Sequence, residues 1–146
     1  LTAAGFEHYE VSNYALPGFR ARHNASYWHG TKYLGIGPAA HSFDGEERHW
    51  NASSVEKYIA GAPAGKEVLT QRDRFNEYVM TALRTVEGID LEEAAARFGA
   101  KRLARMQEEA APFLRSGTLR IARGRMALPP EKFLISDAVI GALFET

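Results

Sequence analysis

His23 opens the run His23-Asn24-Ala25-Ser26-Tyr27-Trp28, which sets an imidazole on the same short stretch as a phenol and an indole. An imidazole titrates near neutrality and is the commonest axial ligand of haem iron. If the run forms a helical turn, residues 23 and 27 share a face, so a ring nitrogen and a flat aromatic surface meet the same planar ligand. Tyr27 and Trp28 could equally pack the end of a barrel, and for each taken alone the two roles weigh about the same. A second histidine, His41, closes the small-residue run Gly35-Ile36-Gly37-Pro38-Ala39-Ala40. A short apolar floor ending in an imidazole suits an adenine or a porphyrin edge, although glycine spacing of this kind is more usually tight strand-to-loop packing.

Upstream lie Tyr9, Glu10, Ser12 and Asn13. Glu10 reads either as a buried carboxylate paired to a basic group or as an outward strand residue, and alternation does not choose between them. Ser12 and Asn13 are turn formers; Asn13 is expected to organise a loop first and to contact a ligand second. His8, His29 and His49 show no partner spacing and call for no functional reading.

Elements must hold these groups in place. Before residue 70 the chain is rich in aromatic residues and glycine, with little helical periodicity. The stretch His8 to Ser12 reads as a strand of an α/β barrel, closed by Asn13 and later by Pro17-Gly18, with its C-terminal end opening into a functional loop. Gly35, Gly37 and Pro38 interrupt an apolar stretch and permit close approach of backbone to a ligand or another strand. Asn51 to Leu69 is a polar connector with one short helix candidate, Ser54 to Ala60.

After residue 70 the period turns helical. Phe75, Val79, Ala82, Leu83 and Val86 share a face, Asp73 can cap the start and Gly88 follows the end. Asp90 with Glu93 makes a capping box for a second helix through Phe98, stopped by Gly99. Lys101 to Leu114 reads as a third helix with Leu103, Met106, Ala110 and Phe113 inward, which Pro112 should kink or end early. Arg123-Gly124 turns a hairpin between Thr118–Ala122 and Arg125–Leu128. Pro129-Pro130 starts a last helix burying Phe133, Leu134, Val139, Ile140 and Leu143. Three helices, a hairpin and a terminal helix make a winged-helix-like domain, and the whole is α+β.

The blocks YEVSN (9–13), HNASYW (23–28) and YLGIGPAAHS (33–42) together resemble the radical S-adenosylmethionine proteins related to oxygen-independent coproporphyrinogen III oxidase, most closely the HemW branch of haem chaperones. Residues 75–99 are similar to the accessory domain that follows the barrel in that family. The resemblance implies a terminal piece of a radical S-adenosylmethionine (β/α) partial barrel over residues 1–50, a connector over 51–70 and the family's C-terminal domain over 71–146. It implies haem or porphyrin contacts at His23, Asn24, Tyr27, Trp28 and His41, with His23 as the axial ligand candidate. Tyr9, Glu10, Asn13, Gly37 and Ala39 would line the cofactor pocket. The family also carries S-adenosylmethionine and a 4Fe–4S cluster on cysteines, whereas this chain has no cysteine. It begins at Leu1, in what reads as a helix end, and is taken as the C-terminal part of a longer protein that cannot do radical chemistry alone. Expected partners are haem, haem-acceptor proteins, the N-terminal barrel of the same protein and, for an isolated piece, a second copy. The enzymatic alternative is oxidative decarboxylation of coproporphyrinogen III propionates.

Composition narrows the classes further. There are 146 residues, 45% hydrophobic and 25% charged, enough for one domain or a small domain plus a fragment. No apolar run reaches the length of a membrane span, and the expected compartment is the cytoplasm. Eighteen basic residues balance eighteen acidic ones, so no global field draws a polyanion. Residues 71–146 carry 12 basic and 11 acidic side chains, which weighs against the rival reading, a DNA-binding winged helix. Lys101, Arg102 and Arg105 cluster at the start of the third helix, where a solvated face is the expected role.

Overall fold

A computed structural model describes residues 1–22, 31–63 and 65–146. Its internal contacts divide the chain into two units, Leu1–His29 with Arg74–Thr146, and Gly30–Asp73.

In the first unit, β1 (Glu7–Glu10) and β2 (Asn13–Ala15) form an antiparallel hairpin with a bulge between His8 and Glu10. Asn13 therefore opens a strand and does not close one, while Val11 and Ser12 make the turn. The other edge of β1 meets the residues that follow α2 (Gln71–Leu83): Val11 N donates to Arg84 O at 2.9 Å, Val86 N donates to Tyr9 O at 3.1 Å, and Glu10 bridges Thr85.

Helix α2 begins as its sequence predicts, with a shift of role. Thr70 is the capping residue, its Oγ1 accepting from Asp73 N at 3.1 Å while Asp73 Oδ2 accepts from Thr70 N at 3.0 Å. Reciprocal bonds of this kind satisfy two donors that a helix start leaves open. Those bonds from Thr70 also hold the Asp73 carboxyl below its ordinary value. Beyond α2, β6 (Ile89–Asp90) leads into α3 (Leu91–Phe98), whose cap is Asp90 Oδ1 accepting from Glu93 N at 3.0 Å. Helix α4 spans Ala100–Arg115. Pro112 lies inside it without ending it: the proline forfeits one N–H bond in the last turn, and Phe113 and Leu114 pack on the core and keep that turn helical.

Strands β7 (Arg120–Ala122) and β8 (Arg125–Ala127) follow, turned by Arg123 at φ 52° and Gly124 at φ 73°. Two consecutive left-handed residues make the tight hairpin turn that Arg-Gly foretells. Strand β6 adds to β8, giving the antiparallel order β6-β8-β7. A 3-10 segment, Pro130–Ile135, precedes α5 (Ser136–Leu143). Leu134 is fully exposed at 100%, because a three-residue turn points it away from the side that buries Phe133.

The core joins Phe75, Val79 and Leu83 of α2 to Ala94, Phe98, Met106, Ala110, Met126, Val139, Ile140 and Leu143. Phe75 meets Phe98 edge-on, with centroids 5.4 Å apart at 77°. Tyr78 lies beside them, its hydroxyl donating to Asp90 O and accepting from Asp90 N, and burial pushes its phenol up to about 12.

The basic cluster of α4 is not a uniformly solvated face. Arg102 Nε donates to Glu145 Oε2 at 2.7 Å and Arg105 Nη2 donates to Leu143 O at 2.8 Å. Arg105 thus meets the carbonyl end of α5, where cations and donors are stabilising, and Arg102 pairs with the carboxylate of Glu145 just beyond it. Only Lys101 of the three stays exposed.

The second unit is a three-stranded antiparallel sheet in the order β3-β4-β5, from His41–Phe43, Glu47–Trp50 and Gly65–Val68. Strand β5 falls inside the stretch expected to connect, and its Gly-Lys-Glu-Val carries no apolar alternation; its pairing with β4 makes it a strand. Helix α1 (Val55–Ile59) forms where expected, with Ser54 Oγ accepting from Lys57 N. No described helix is long and apolar enough to cross a membrane.

Candidate functional site

His23, Asn24, Tyr27 and Trp28 lie outside the described residues. The remaining candidates fall into two groups, one in each unit.

The β1–β2 hairpin of the first unit carries Tyr9, Glu10 and Asn13. Tyr9 is buried, and its hydroxyl accepts from Ala21 N at 3.4 Å. Arg20 stands over its ring, with the guanidinium carbon 5.4 Å from the centroid. The same guanidinium bridges Glu7 at 3.1 Å and Glu87 at 2.6 Å, which ties residues 20–22 to the strand. Asn13 pairs with Glu10 across the hairpin. Glu10 is 0% exposed, and neither carboxylate oxygen has a hydrogen-bond partner among the described residues. This side chain takes the buried alternative, and among the described residues no basic group is paired with it.

A buried carboxylate without a partner is costly, and removing such a group in favour of apolar atoms is commonly stabilising. Glu10→Met is therefore expected to raise the unfolding free energy by about 1 kcal/mol or more. Urea denaturation followed by circular dichroism checks this. A lower midpoint in the variant would mean that the carboxylate has a partner worth more than its burial cost.

On the other side of the hairpin, a cleft of about 860 Å³ is lined by His8, Val11, Ser12, Tyr14, Arg84 and Phe133 among others. His8 stacks on Tyr14 with centroids 4.1 Å apart at 7°, and meets Phe133 edge-on at 4.9 Å. Spacing along the chain gives His8 no partner; cross-strand pairing with Tyr14 does.

In the second unit, Gly37, Ala39 and His41 share one loop and strand start. Gly37 has φ 112° and Ala39 φ 56°, a left-handed conformation that is uncommon for a residue with a Cβ. The loop is held by side chains that sequence spacing did not single out. Asn51 Nδ2 donates to Gly37 O at 2.9 Å and to Gly35 O at 3.3 Å, Gly37 N donates to Tyr58 Oη at 3.2 Å, and Gly35 N donates to Ser42 Oγ at 2.9 Å. His41 is exposed and faces Trp50 across β3 and β4, with ring centroids 6.0 Å apart. The asparagine and tyrosine signals were legible only as polar residues of a connector.

Asp44, Glu47 and His49 also bring ligand atoms within 4.8 Å of one another. Asp44 Oδ1 accepts from Glu46 N and Glu47 N, which holds its carboxyl below the usual range, and Glu47 pairs with Lys66. Turn formation and ion pairing account for the group.

The family model for the HemN C-terminal domain matches residues 69–135. The heme chaperone HemW of Mycobacterium tuberculosis (strain ATCC 25618 / H37Rv) is 38% identical over 98% of this chain and 36% of its own length. Heme chaperone HemW of Lactococcus lactis is 36% identical over 67% of this chain and 27% of its own length. The chain thus spans 36% of the length of the first of these relatives and 27% of the second. Among solved structures, the radical SAM coproporphyrinogen III oxidase HemN of Escherichia coli covers 99% of this chain, and the chain 38% of it, with a TM-score of 0.72 at 17% identity. That likeness speaks to the fold. With a mixed helix and sheet fold, a HemN-type C-terminal segment and near-complete alignment to HemW proteins, the chain belongs to the family of radical S-adenosylmethionine proteins related to oxygen-independent coproporphyrinogen III oxidase, on its HemW branch.

Proposed function

We propose that this chain is the haem-holding and accessory portion of a haem chaperone that passes haem to acceptor proteins in the cytoplasm. The observation that carries the reading is the 38% identity to a heme chaperone HemW over 98% of the chain, joined to the HNASYW run at residues 23–28. In this reading residues 1–50 complete a radical S-adenosylmethionine barrel, 51–70 connect, and 71–146 form a winged-helix-like C-terminal domain. The span matched by the HemN C-terminal model and the sheet order β6-β8-β7 behind three helices support the last of these.

In this reading His23 would hold haem iron through a ring nitrogen, and Asn24, Tyr27 and Trp28 of the same run would contact the porphyrin. The donor chemistry of the described residues fits the same ligand, since His41 is an exposed imidazole beside an indole. In the same reading Tyr9, Glu10 and Asn13 of the first unit and, separately, Gly37 and Ala39 of the second are the cofactor-lining candidates. The 4Fe–4S cluster is a different matter: with no cysteine in the chain, none of these residues holds it, and no radical step belongs to them. When bound by the rest of such a protein, the cluster and S-adenosylmethionine supply one-electron chemistry.

Decarboxylation of coproporphyrinogen III has only a fold likeness behind it. DNA binding has less, because the exposed face of α4 carries Glu108 and Glu109 beside Lys101 and Arg115. The test is hemin titration of the chain. His23→Ala is expected to weaken binding at least about tenfold and to shift the Soret band. Unchanged affinity and spectrum in a folded His23→Ala chain would remove His23 from the site.

A further inference from the structure

Between Gly35 and His41 the backbone holds a conformation that its own residues do not favour. Ala40 N donates to Gly37 O at 3.3 Å, closing a β-turn with Pro38 second and Ala39, at φ 56°, third. A turn with proline second and positive φ third ordinarily takes glycine or asparagine in the third place, because a Cβ there is strained. This chain has alanine. Strain of that kind persists only where the surroundings over-determine it, and it is concentrated where a ligand is held.

The surroundings are the residues that leave β4. Beyond the His41–Trp50 pair the ladder runs on, with Asn51 N donating to Ala40 O and Ala39 N donating to Ala52 O, both at 3.0 Å. The Asn51 side chain then crosses the turn, its Nδ2 reaching Gly37 O at 2.9 Å and Gly35 O at 3.3 Å. Tyr58 of α1 braces the same point, its hydroxyl accepting from Gly37 N at 3.2 Å. Gly35 in turn packs against the main chain of His41, so closely that a Cβ would meet the His41 carbonyl oxygen. Holding Gly35 therefore holds the start of β3. One amide group thus sets the place of two exposed residues, Ala39 and His41. The ladder alone closes the loop; the amide fixes its curvature.

We infer that Asn51 is a positioning residue for ligand binding, keeping Ala39 in its left-handed conformation and His41 at the angle from which it meets the ligand. This rests on the haem-binding reading above, in which His41 contacts haem or a porphyrin. Asn51 acts through the loop and touches no ligand itself.

Hemin is titrated into the chain, the Soret band is recorded at saturation, and circular dichroism reports the fold. Asn51→Ala is expected to weaken binding about fivefold, the size of one net hydrogen bond, and to shift the saturated Soret band. Asn51→Asp keeps the shape but sets a carboxylate against two carbonyl oxygens, and should lose at least as much. Ala39→Gly in the Asn51→Ala chain should restore part of the affinity, since glycine takes the positive φ without being held there. In a His41→Ala chain, Asn51→Ala should add little, because the two act as one unit. Asp44→Ala is the control: it cuts two bonds at the opposite end of the β3–β4 hairpin and should leave affinity and spectrum unchanged. If His41→Ala weakens hemin binding and Asn51→Ala does not, the inference is overturned and the haem reading stands. If Asn51→Ala costs the same with and without His41, or Asp44→Ala matches it, the effect is on the sheet as a whole and the inference is likewise overturned. If hemin binding ignores His41 as well, or does not occur, the haem reading of this loop fails and the inference falls with it.

Discussion

Phe75→Ala is expected to lower the stability of the helical unit by about 3–5 kcal/mol, the range for truncating a fully buried phenylalanine. Phe75 is 0% exposed and sits where α2 and α3 meet, edge-on to Phe98. Removing its ring takes away the transfer term and leaves a cavity between helices whose backbones are fixed by their own caps at Thr70 and Asp90, so little collapse can fill it. Against the roughly 5–15 kcal/mol by which domains are stable, that is about a fifth of the total or more. Urea unfolding reports it as a fall in midpoint at unchanged slope. Phe75→Leu, which keeps most of the volume, should lose far less. A drop below about 1 kcal/mol for Phe75→Ala would show that the two helices repack around the gap.

Gly88→Ala should follow closely in size, by a different route. Gly88 has φ 66°, and a Cβ on it would meet Met126 O and Ala127 of the adjoining strand β8. The left-handed backbone costs about 1–2 kcal/mol for a residue with a side chain, and forcing atoms into filled space adds about 1–3 kcal/mol. The damage would spread along defined bonds. Arg125 Nε donates to Glu87 O and its Nη1 pairs with Asp90, while Glu87 receives Arg20, which also holds Glu7 of β1. Gly124→Ala is the control, because Gly124 has φ 73° but nothing near its Cβ position; it should lose the backbone part alone. Thermal unfolding of the two variants separates strain from collision. Equal losses would mean that the contact with β8 relaxes freely.

Gly88 also bears on function, since Val86, two residues before it, donates to Tyr9 O on the strand that carries Glu10. A shift of β8 against residue 88 would reach the hairpin of candidate pocket residues through main-chain bonds and the Arg20 bridge.

What could be read from the chain alone were features written within one turn of the backbone. Asp90 with Glu93, Arg123-Gly124 and the spacing of Phe75, Val79 and Leu83 each specify geometry among residues a few positions apart, where the physics of capping, turns and helical faces is complete without the rest of the molecule. The family resemblance belongs to the same class, because HNASYW and the glycine-rich run are contiguous. The tertiary structure decided what depends on partners distant in sequence. Gly65–Val68 is a strand because β4 offers it a ladder, and Ile89–Asp90 because β8 does. Pro112 stays helical because Phe113 and Leu114 after it pack against the core, and Leu134 is exposed because a 3-10 turn replaces the expected α-helical one. Arg102 and Arg105, which look like solvent-facing charge on α4, bond instead to the Glu145 carboxylate and to the last carbonyl of α5. For the site, the chain itself named His41 but not Trp50, Asn51 or Tyr58, whose roles exist only once β3 and β4 lie side by side and the loop before them closes; hydrogen bonds and ring contacts across such distances leave no periodic trace in a sequence.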